Sequence, residues 1–277
     1  MLKVAELSKA TYMRWIKRLN EKDKDYEIKE KMIQIRQENP NYGYRRICAA
    51  LRHQGIVVNN KKILRLVQEL QIQVTSFSRK SGKFSTYKGE IGKVAKNEIN
   101  RNFKSNIPHE KITTDTSEFK YYEYDKNNNP VKKKLYLNVF MDMYNSEIIS
   151  YSISKVPTLN AVIEAADKAI RIVKDCPTQS IFHSDQGCFY QLPQYTNRLK
   201  RNNIKQSMSR KGNCLDNSIM ENFFGILKQE MYYRKEFRSY EGLRKEIQIY
   251  IDYYNNKRIK MRLGYMSPVQ YRVMGQK

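Results

Sequence analysis

Three carboxylates in the second half of the chain have the types and setting for metal-dependent chemistry on phosphate. Asp185 closes the short apolar run Ser180-Ile181-Phe182 just ahead of Gly187, where a buried strand gives way to a loop. Thirty-five residues separate it from Glu221, which lies in a segment of helical periodicity. There Met220, Phe223, Phe224, Leu227 and Met231 form an apolar face, and Asn217, Glu221, Gly225 and Lys228 form a second stripe beside it. Asp115 sits in the β-branched run Ile112 to Phe119, which reads as a strand. Taken singly, Asp115 is a turn cap, Asp185 a loop acid and Glu221 a solvated helix residue. As a set they cannot crowd together without cations. Hard oxygen ligands with no His or Cys cluster nearby select Mg²⁺ or Mn²⁺. Two such ions roughly 3.5 to 4 Å apart would clamp the attacking and leaving oxygens of an in-line phosphoryl transfer. Asp142, on the next strand, is the rival for the first acid and is read as structural.

The elements that must position these acids follow from pattern. Asn127 to Pro130 is a turn, Leu135 to Met143 a second strand and Glu147 to Ile153 a third. Pro157-Thr158 opens a helix with the apolar stripe Leu159, Val162, Ile163, Ala166, Ile170 and Val173. A fourth strand ends at Asp185, a helix follows around Tyr195 to Leu199, and Ile204 to Met208 is a fifth strand. This order predicts an α/β unit with a mixed five-stranded sheet flanked by helices, the three acids converging at one edge. The region before it is all helical: short patterns at Leu2 to Leu7 and Thr11 to Leu19, then Tyr26 to Gln37, Tyr44 to His53, and a helix capped by Asn60 with Ile63, Leu64, Val67 and Leu70 inward. The domain reading is a helical segment over 1–20, a DNA-binding module over 21–72, a basic linker over 73–107, a catalytic core over 108–232 and a helical extension over 233–277.

Composition points to the substrate. The 277 residues carry 52 Lys plus Arg against 28 Asp plus Glu, a net charge of +24, with +14 in residues 1–105 and +10 in the rest. That excess predicts a polyanionic partner, with nucleic acid first, and both halves touching phosphate. The apolar runs are only a few residues long and the N-terminus carries no signal-peptide pattern, so the expectation is a chain that does not enter a membrane. Cys48, Cys176, Cys188 and Cys214 lack C-x-x-C spacing, which suits free thiols in a reducing, cytoplasmic setting. Two other classes fit parts of this pattern. A non-catalytic DNA-binding regulator would use the helices and the charge without the acids, and a structure-specific nuclease of the same fold would cut without joining.

The motifs sharpen the choice. His183-Ser184-Asp185-x-Gly187 with Tyr190, the spacing to Glu221, and Ser209-Arg210-Lys211-Gly212-Asn213-Cys214-x-Asp216-Asn217 closely resemble the catalytic core of bacterial insertion-sequence transposases with a retroviral-integrase-type domain, in particular the insertion-sequence-three family. The resemblance continues through Phe223 to Lys228 and through Tyr254-Asn255, Arg258, Leu263-Gly264-Tyr265 and Ser267-Pro268, while Tyr42 to Ile47 resembles that family's helix-turn-helix. It implies a ribonuclease H-like fold in which Asp115 bridges two Mg²⁺ ions, replaceable by Mn²⁺, and Asp185 and Glu221 each complete one. It further implies strand cleavage at element ends followed by strand transfer into target double-stranded DNA, a homo-oligomer assembled on DNA at the bacterial nucleoid, and fusion to a first-frame protein. DNA contacts are expected from Lys61, Lys62 and Arg65 in the helical module, and from His183, Arg210, Lys211, Asn217 and Lys228 around the acids. For His183 the alternative is a structural imidazole, and for Arg210 and Lys211 a plain surface loop.

Overall fold

The computed structural model describes residues 8–20, 23–77, 94–210 and 214–275. It divides into two compact units, Met1–Ser76 and Phe77–Lys277.

The first unit is helical, with α1 (Lys9–Asn20), α2 (Tyr26–Glu38), α3 (Tyr44–His53) and α4 (Asn60–Glu69). Met32 and Ile35 of α2, Ile47 and Leu51 of α3, and Ile63, Leu66 and Val67 of α4 are buried, so each helix turns one apolar face inward. Two details differ from the sequence reading. The cap of α4 is Asn59, whose side chain accepts from the Lys61 N–H. The inward face carries Leu66, and Leu64 is exposed. Gly55, with φ of +80°, ends α3 in the left-handed conformation that glycine adopts without cost. The segment Leu2 to Leu7 lies outside the described residues.

In the second unit, β1 (Lys111–Tyr124) and β2 (Pro130–Asp142) form a long antiparallel hairpin, and β3 (Ile148–Ser154) pairs with β2. After α5 (Leu159–Val173), β4 (Ile181–Ser184) joins the other edge of β1 in parallel. Then α6 (Cys188–Gln191) and α7 (Pro193–Arg201) lead to β5 (Lys205–Met208), parallel to β4. The sheet order β3-β2-β1-β4-β5 is the ribonuclease H-like arrangement. A 3₁₀ turn over Cys214–Asn217 enters α8 (Ser218–Leu227), a π turn over Lys228–Tyr232 follows, and α9 (Tyr240–Asn256) and α10 (Pro268–Gly275) complete the unit.

Strand alternation sends residues to two different layers. Phe119, Tyr121, Leu135, Leu137 and Val139 face α8 and α9, whereas Ile112, Phe140 and Phe182 face α5 and α7. The expected helical extension packs on the sheet unit: Leu243, Ile247, Ile251 and Tyr254 of α9 share one apolar cluster with Met220, Phe223 and Leu227 of α8. The C-terminal part of the expected linker is also packed. Residues 95–98 run along β5, with the Glu98 N–H donating to Ser207 Oγ at 2.9 Å and Glu98 paired with Lys205 at 2.9 Å, and Ile99 is 2% exposed. No helix among the described residues is long and apolar enough to cross a membrane.

Beneath the layer of α8 and α9, Arg258 and Glu230 make a two-pronged ion pair at 2.8 and 2.7 Å with both side chains almost fully buried. Tyr250 Oη donates a further bond of 2.9 Å to Glu230. Removing one partner leaves a buried charge without its counterion, which costs about 3–5 kcal/mol, whereas replacing both by apolar groups is far milder. Glu230→Ala is thus expected to lower the unfolding free energy of the catalytic unit by about 3–5 kcal/mol in denaturant titrations, and Glu230→Leu with Arg258→Met to recover most of it. Equal losses in the single and the double variants would contradict this.

Candidate active site

The pairing of β1 with β4 places the first two acids. Thr113 stands opposite His183 in the parallel register. Asp115 and Asp185 each follow two residues later and so emerge side by side on the same face of the sheet. Asp142 lies on the opposite face by the same logic: it pairs with Ile112, whose side chain points to the α5 layer. The Asp142 carboxylate instead accepts the backbone N–H groups of His109 (2.8 Å) and Tyr144 (2.9 Å) and ties down the β2–β3 turn.

Asp115 accepts the Thr116 N–H at 2.7 Å and Asp185 the Gly187 N–H at 2.9 Å. Gly187 is required for space, since a Cβ there would lie 2.9 Å from Asp185 Oδ1 and 3.3 Å from the Tyr190 ring. Burial, then the neighbouring Asp185 charge and, more weakly, Glu221, push the Asp115 carboxyl up to about 8. Burial also raises Asp185, with the Gly187 N–H opposing it, and raises Glu221. The two aspartates are a tight pair and the glutamate stands further off. Among the described residues, no three His, Cys, Asp or Glu side chains are grouped as a ready-made cage for one ion. The chemistry of the donor set nonetheless fits divalent cations: three oxygen acids, two of them buried side by side, each pushed toward its neutral form chiefly by burial.

The third acid is carried in by the turn before α8. Thr113 Oγ1 donates to Asn217 Oδ1 at 2.8 Å, and His183 Nε2 lies 2.9 Å from the Asp216 carbonyl oxygen. Residues 216 and 217 therefore rest on the rung just below Asp115 and Asp185, and Glu221 follows one helical turn later on the same side as Asn217. Lys228 begins the π turn, half-buried, with Nζ 5.1 Å from the centre of the Phe119 ring. Burial lowers its pKa, while the nearby charges of Asp115 and Glu118 act to raise it.

Several expected DNA contacts are otherwise engaged. His183 is fully buried, and both ring nitrogens are used, Nδ1 by Ser207 Oγ at 2.9 Å and Nε2 by Asp216 O; it is a structural imidazole and cannot reach DNA. Asn217 is 6% exposed and acts as a clamp. Arg210 spends Nε and Nη2 on Asp216, each at 2.9 Å. In the helical unit Lys62 and Arg65 pair with Asp25 at 2.5 and 3.0 Å, and Lys61 is exposed. Lys211 lies outside the described residues. The sequence reading passed over Thr113, Ser207, Asp216, Asn97 and Arg101, although Asp216 stands in the same motif as Arg210.

The chain is similar to known proteins. An "Integrase core domain" model matches residues 105–214, a second model of the same description matches 221–275, and an "HTH-like domain" model matches 22–80. InsK of insertion sequence element IS150 from Escherichia coli is 38% identical over 273 residues, 98% of this chain and 92% of that protein. Transposase InsF for insertion sequence IS3A of Escherichia coli is 31% identical over 83% of this chain and 76% of its own length. Among solved structures, the HTLV-2 integrase catalytic core domain in complex with magnesium aligns with 60% of this chain and 97% of its own at 18% identity, with a TM-score of 0.43.

The carboxylate shifts set a pH dependence. A folded carboxyl at about 8 against an ordinary value of 3.8 keeps a proton that the unfolded chain has already lost, so stability falls as pH rises from about 4 to about 8. Asp142, pushed by burial up to about 6, acts with the same sign over the lower half of that window. Burial lowers His109 and His183, which act with the opposite sign up to about the ordinary histidine value of 6.5, so the range from about pH 7 to 8 isolates the aspartate pair. In EDTA the thermal midpoint of the catalytic unit is expected to fall across this range in the wild type, to stay flat in Asp115→Asn, and to flatten in the wild type when Mg²⁺ is added. A slope that survives Asp115→Asn would assign it to other groups.

Proposed function

Since the chain belongs to the insertion-sequence transposases with an integrase core, the family of IS150 and IS3, we propose that Asp115, Asp185 and Glu221 form its metal-binding site for cutting element ends and joining them to target DNA. The observation that carries this reading is the buried pair Asp115 and Asp185, placed side by side by the β1–β4 register, with Glu221 presented toward it by the turn clamped on the rung below. Divalent cations held between Asp115 and its two partners would supply Lewis-acid stabilisation of the phosphoryl oxygens and lower the pKa of the attacking hydroxyl.

The protein's own groups do the rest. The sheet fixes Asp115 and Asp185 against each other. The clamp of Asn217 on Thr113 sets the approach of Glu221, and Lys228, with the charge of Asp115 nearby, is placed to meet a phosphate next to the scissile bond. In cleavage, water replaces one strand at a phosphodiester and leaves a free 3′ hydroxyl. In joining, that hydroxyl replaces a target strand at a second phosphodiester. One bond forms as one breaks, so the transfer needs no nucleotide cofactor and no covalent enzyme intermediate.

The basic helical unit and the exposed Lys61 support end recognition by the helical module, with Arg210 near the catalytic side. Assembly of several copies on DNA, fusion to a first-frame product and a place at the bacterial nucleoid are the finer parts of the same reading, and the integrase-core relationship supports the first.

Asp115→Asn, Asp185→Asn and Glu221→Gln are each expected to lower both nicking and joining of a labelled element end about a thousand-fold or more in Mg²⁺, because each removes metal-based charge stabilisation worth several kcal/mol. End binding in EDTA should persist. Wild-type strand transfer by any of the three would remove that residue from the site.

A further inference from the structure

The acids have a scaffold of their own, centred on Asp216. This carboxylate is fully buried, yet none of the proposed chemistry uses it. It accepts five hydrogen bonds. Oδ1 takes Arg210 Nη2 and Arg101 Nε, both at 2.9 Å. Oδ2 takes Arg210 Nε at 2.9 Å, and the Arg210 backbone N–H and Asn97 Nδ2 at 3.0 Å. The guanidinium partners are only half-buried, 44% exposed for Arg101 and 55% for Arg210. The charge that fixes them is inside.

Two segments meet on this carboxylate. Arg210, which follows β5, and Asp216, in the turn before α8, are bonded to each other. Asn97 and Arg101 come from the stretch just before β1, which turns at Asn100 and Arg101 through left-handed conformations (φ 46° and 61°) that ordinary side chains adopt at a cost. The backbone of Asp216 then passes the constraint on. Because its carbonyl can only accept, His183 Nε2 carries the proton, Nδ1 must accept from Ser207 O–H, and Ser207 Oγ receives the Glu98 N–H at 2.9 Å. The next residue, Asn217, is bonded to Thr113. Residues 216 and 217 thus touch both acid-bearing strands two residues before each aspartate, and the third acid lies five residues beyond Asp216.

We propose that Asp216 is a positioning residue for the metal site: locked by Arg210, Arg101 and Asn97, it holds the turn Cys214–Asn217 on β1 and β4 so that Glu221 is kept within reach of the ion it shares with Asp115. Two of the acids are fixed by the sheet ladder. Glu221 depends on this buried ionic latch. Arg210 is accordingly part of the latch, and its substitution acts on metal binding before it acts on DNA. The inference rests on the two-ion reading above and is separable from it by experiment.

The test is Mn²⁺ binding to the full chain without DNA, followed by electron paramagnetic resonance, for wild type, Asp115→Asn, Asp216→Asn, Arg101→Gln and the double variant Asp216→Asn/Arg101→Gln. Wild type should bind two ions and Asp115→Asn should lose both; failure of that pair of results overturns the metal reading itself. Asp216→Asn should weaken the weaker of the two sites by about tenfold, the scale seen when groups behind a metal ligand are removed, and leave the tighter one unchanged. Element-end binding in EDTA should match wild type. Arg101→Gln should weaken the same site by a smaller factor and add nothing to Asp216→Asn. Unchanged Mn²⁺ affinity in Asp216→Asn, or losses that multiply in the double variant, would overturn the latch. Loss of end binding in EDTA would make Asp216 and its arginines a DNA-contact cluster instead. If Asp216→Asn does not fold, Arg101→Gln decides alone: weakening at the weaker site supports the latch, and wild-type affinity overturns it.

Discussion

The three rungs of parallel pairing between β1 and β4 are the constraint on which the site depends. They set two carboxylates abreast in a buried setting, where each raises the free energy of ionising the other. A structure selected for stability alone would avoid this. The opposing contributions are local: a backbone N–H on each aspartate and the nearby charge of Lys228. None of these neutralises the pair, so the site retains an affinity for cations that better-paired carboxylates would have lost. The long β1–β2 ladder on the other side of β1, paired from Ile112–Asp142 to Tyr124–Pro130, gives that strand the rigidity to hold its acid against the repulsion.

Much of this arrangement was legible in residue pattern, and the exceptions share a cause. The β-β-β-α-β-α-β-α order came from alternation and helical stripes, signals written by burial on one face at a time. Met220, Phe223, Phe224, Leu227 and Met231 line the core as their spacing requires, and Thr158 caps α5 where Pro157-Thr158 marked its start. The register separates Asp115 from Asp142, since both acids lie on strands and pairing reveals which face each one uses. The polar residues were harder. His183 stands two residues before Asp185, which correctly placed it on the same face but could not reveal that Ser207 and the Asp216 carbonyl would absorb both nitrogens. Residues 94–104 are basic and aperiodic, so composition alone reads them as linker, whereas a packed irregular segment is held by side chain–backbone bonds that leave no period.

Two kinds of force share the positioning of α8. Along the helix, apolar burial fixes the axis: Phe223 stacks edge-on against Tyr254 of α9 with ring centres 4.9 Å apart, and Leu227 is fully buried. At its N-terminal end the apolar grip weakens, Leu215 being exposed, and polar contacts take over through Asn217 and Asp216. Such bonds are directional where hydrophobic burial is not, and direction is what a metal ligand needs.

The π turn after α8 belongs to the same design. Continuing the α-helix beyond Leu227 would keep Lys228 and Met231 on fixed three-residue spacing; the wider turn adds a residue and lets two demands be met at once. Met231 still reaches the apolar core and Glu230 reaches Arg258 at the buried ion pair, while Lys228 lies over the Phe119 ring on the side of Asp115. Because Arg258 follows α9, the C-terminal helices anchor the turn that carries Lys228. The α9 helix and Arg258 are therefore packed with the helix that carries Glu221 and with the turn that follows it.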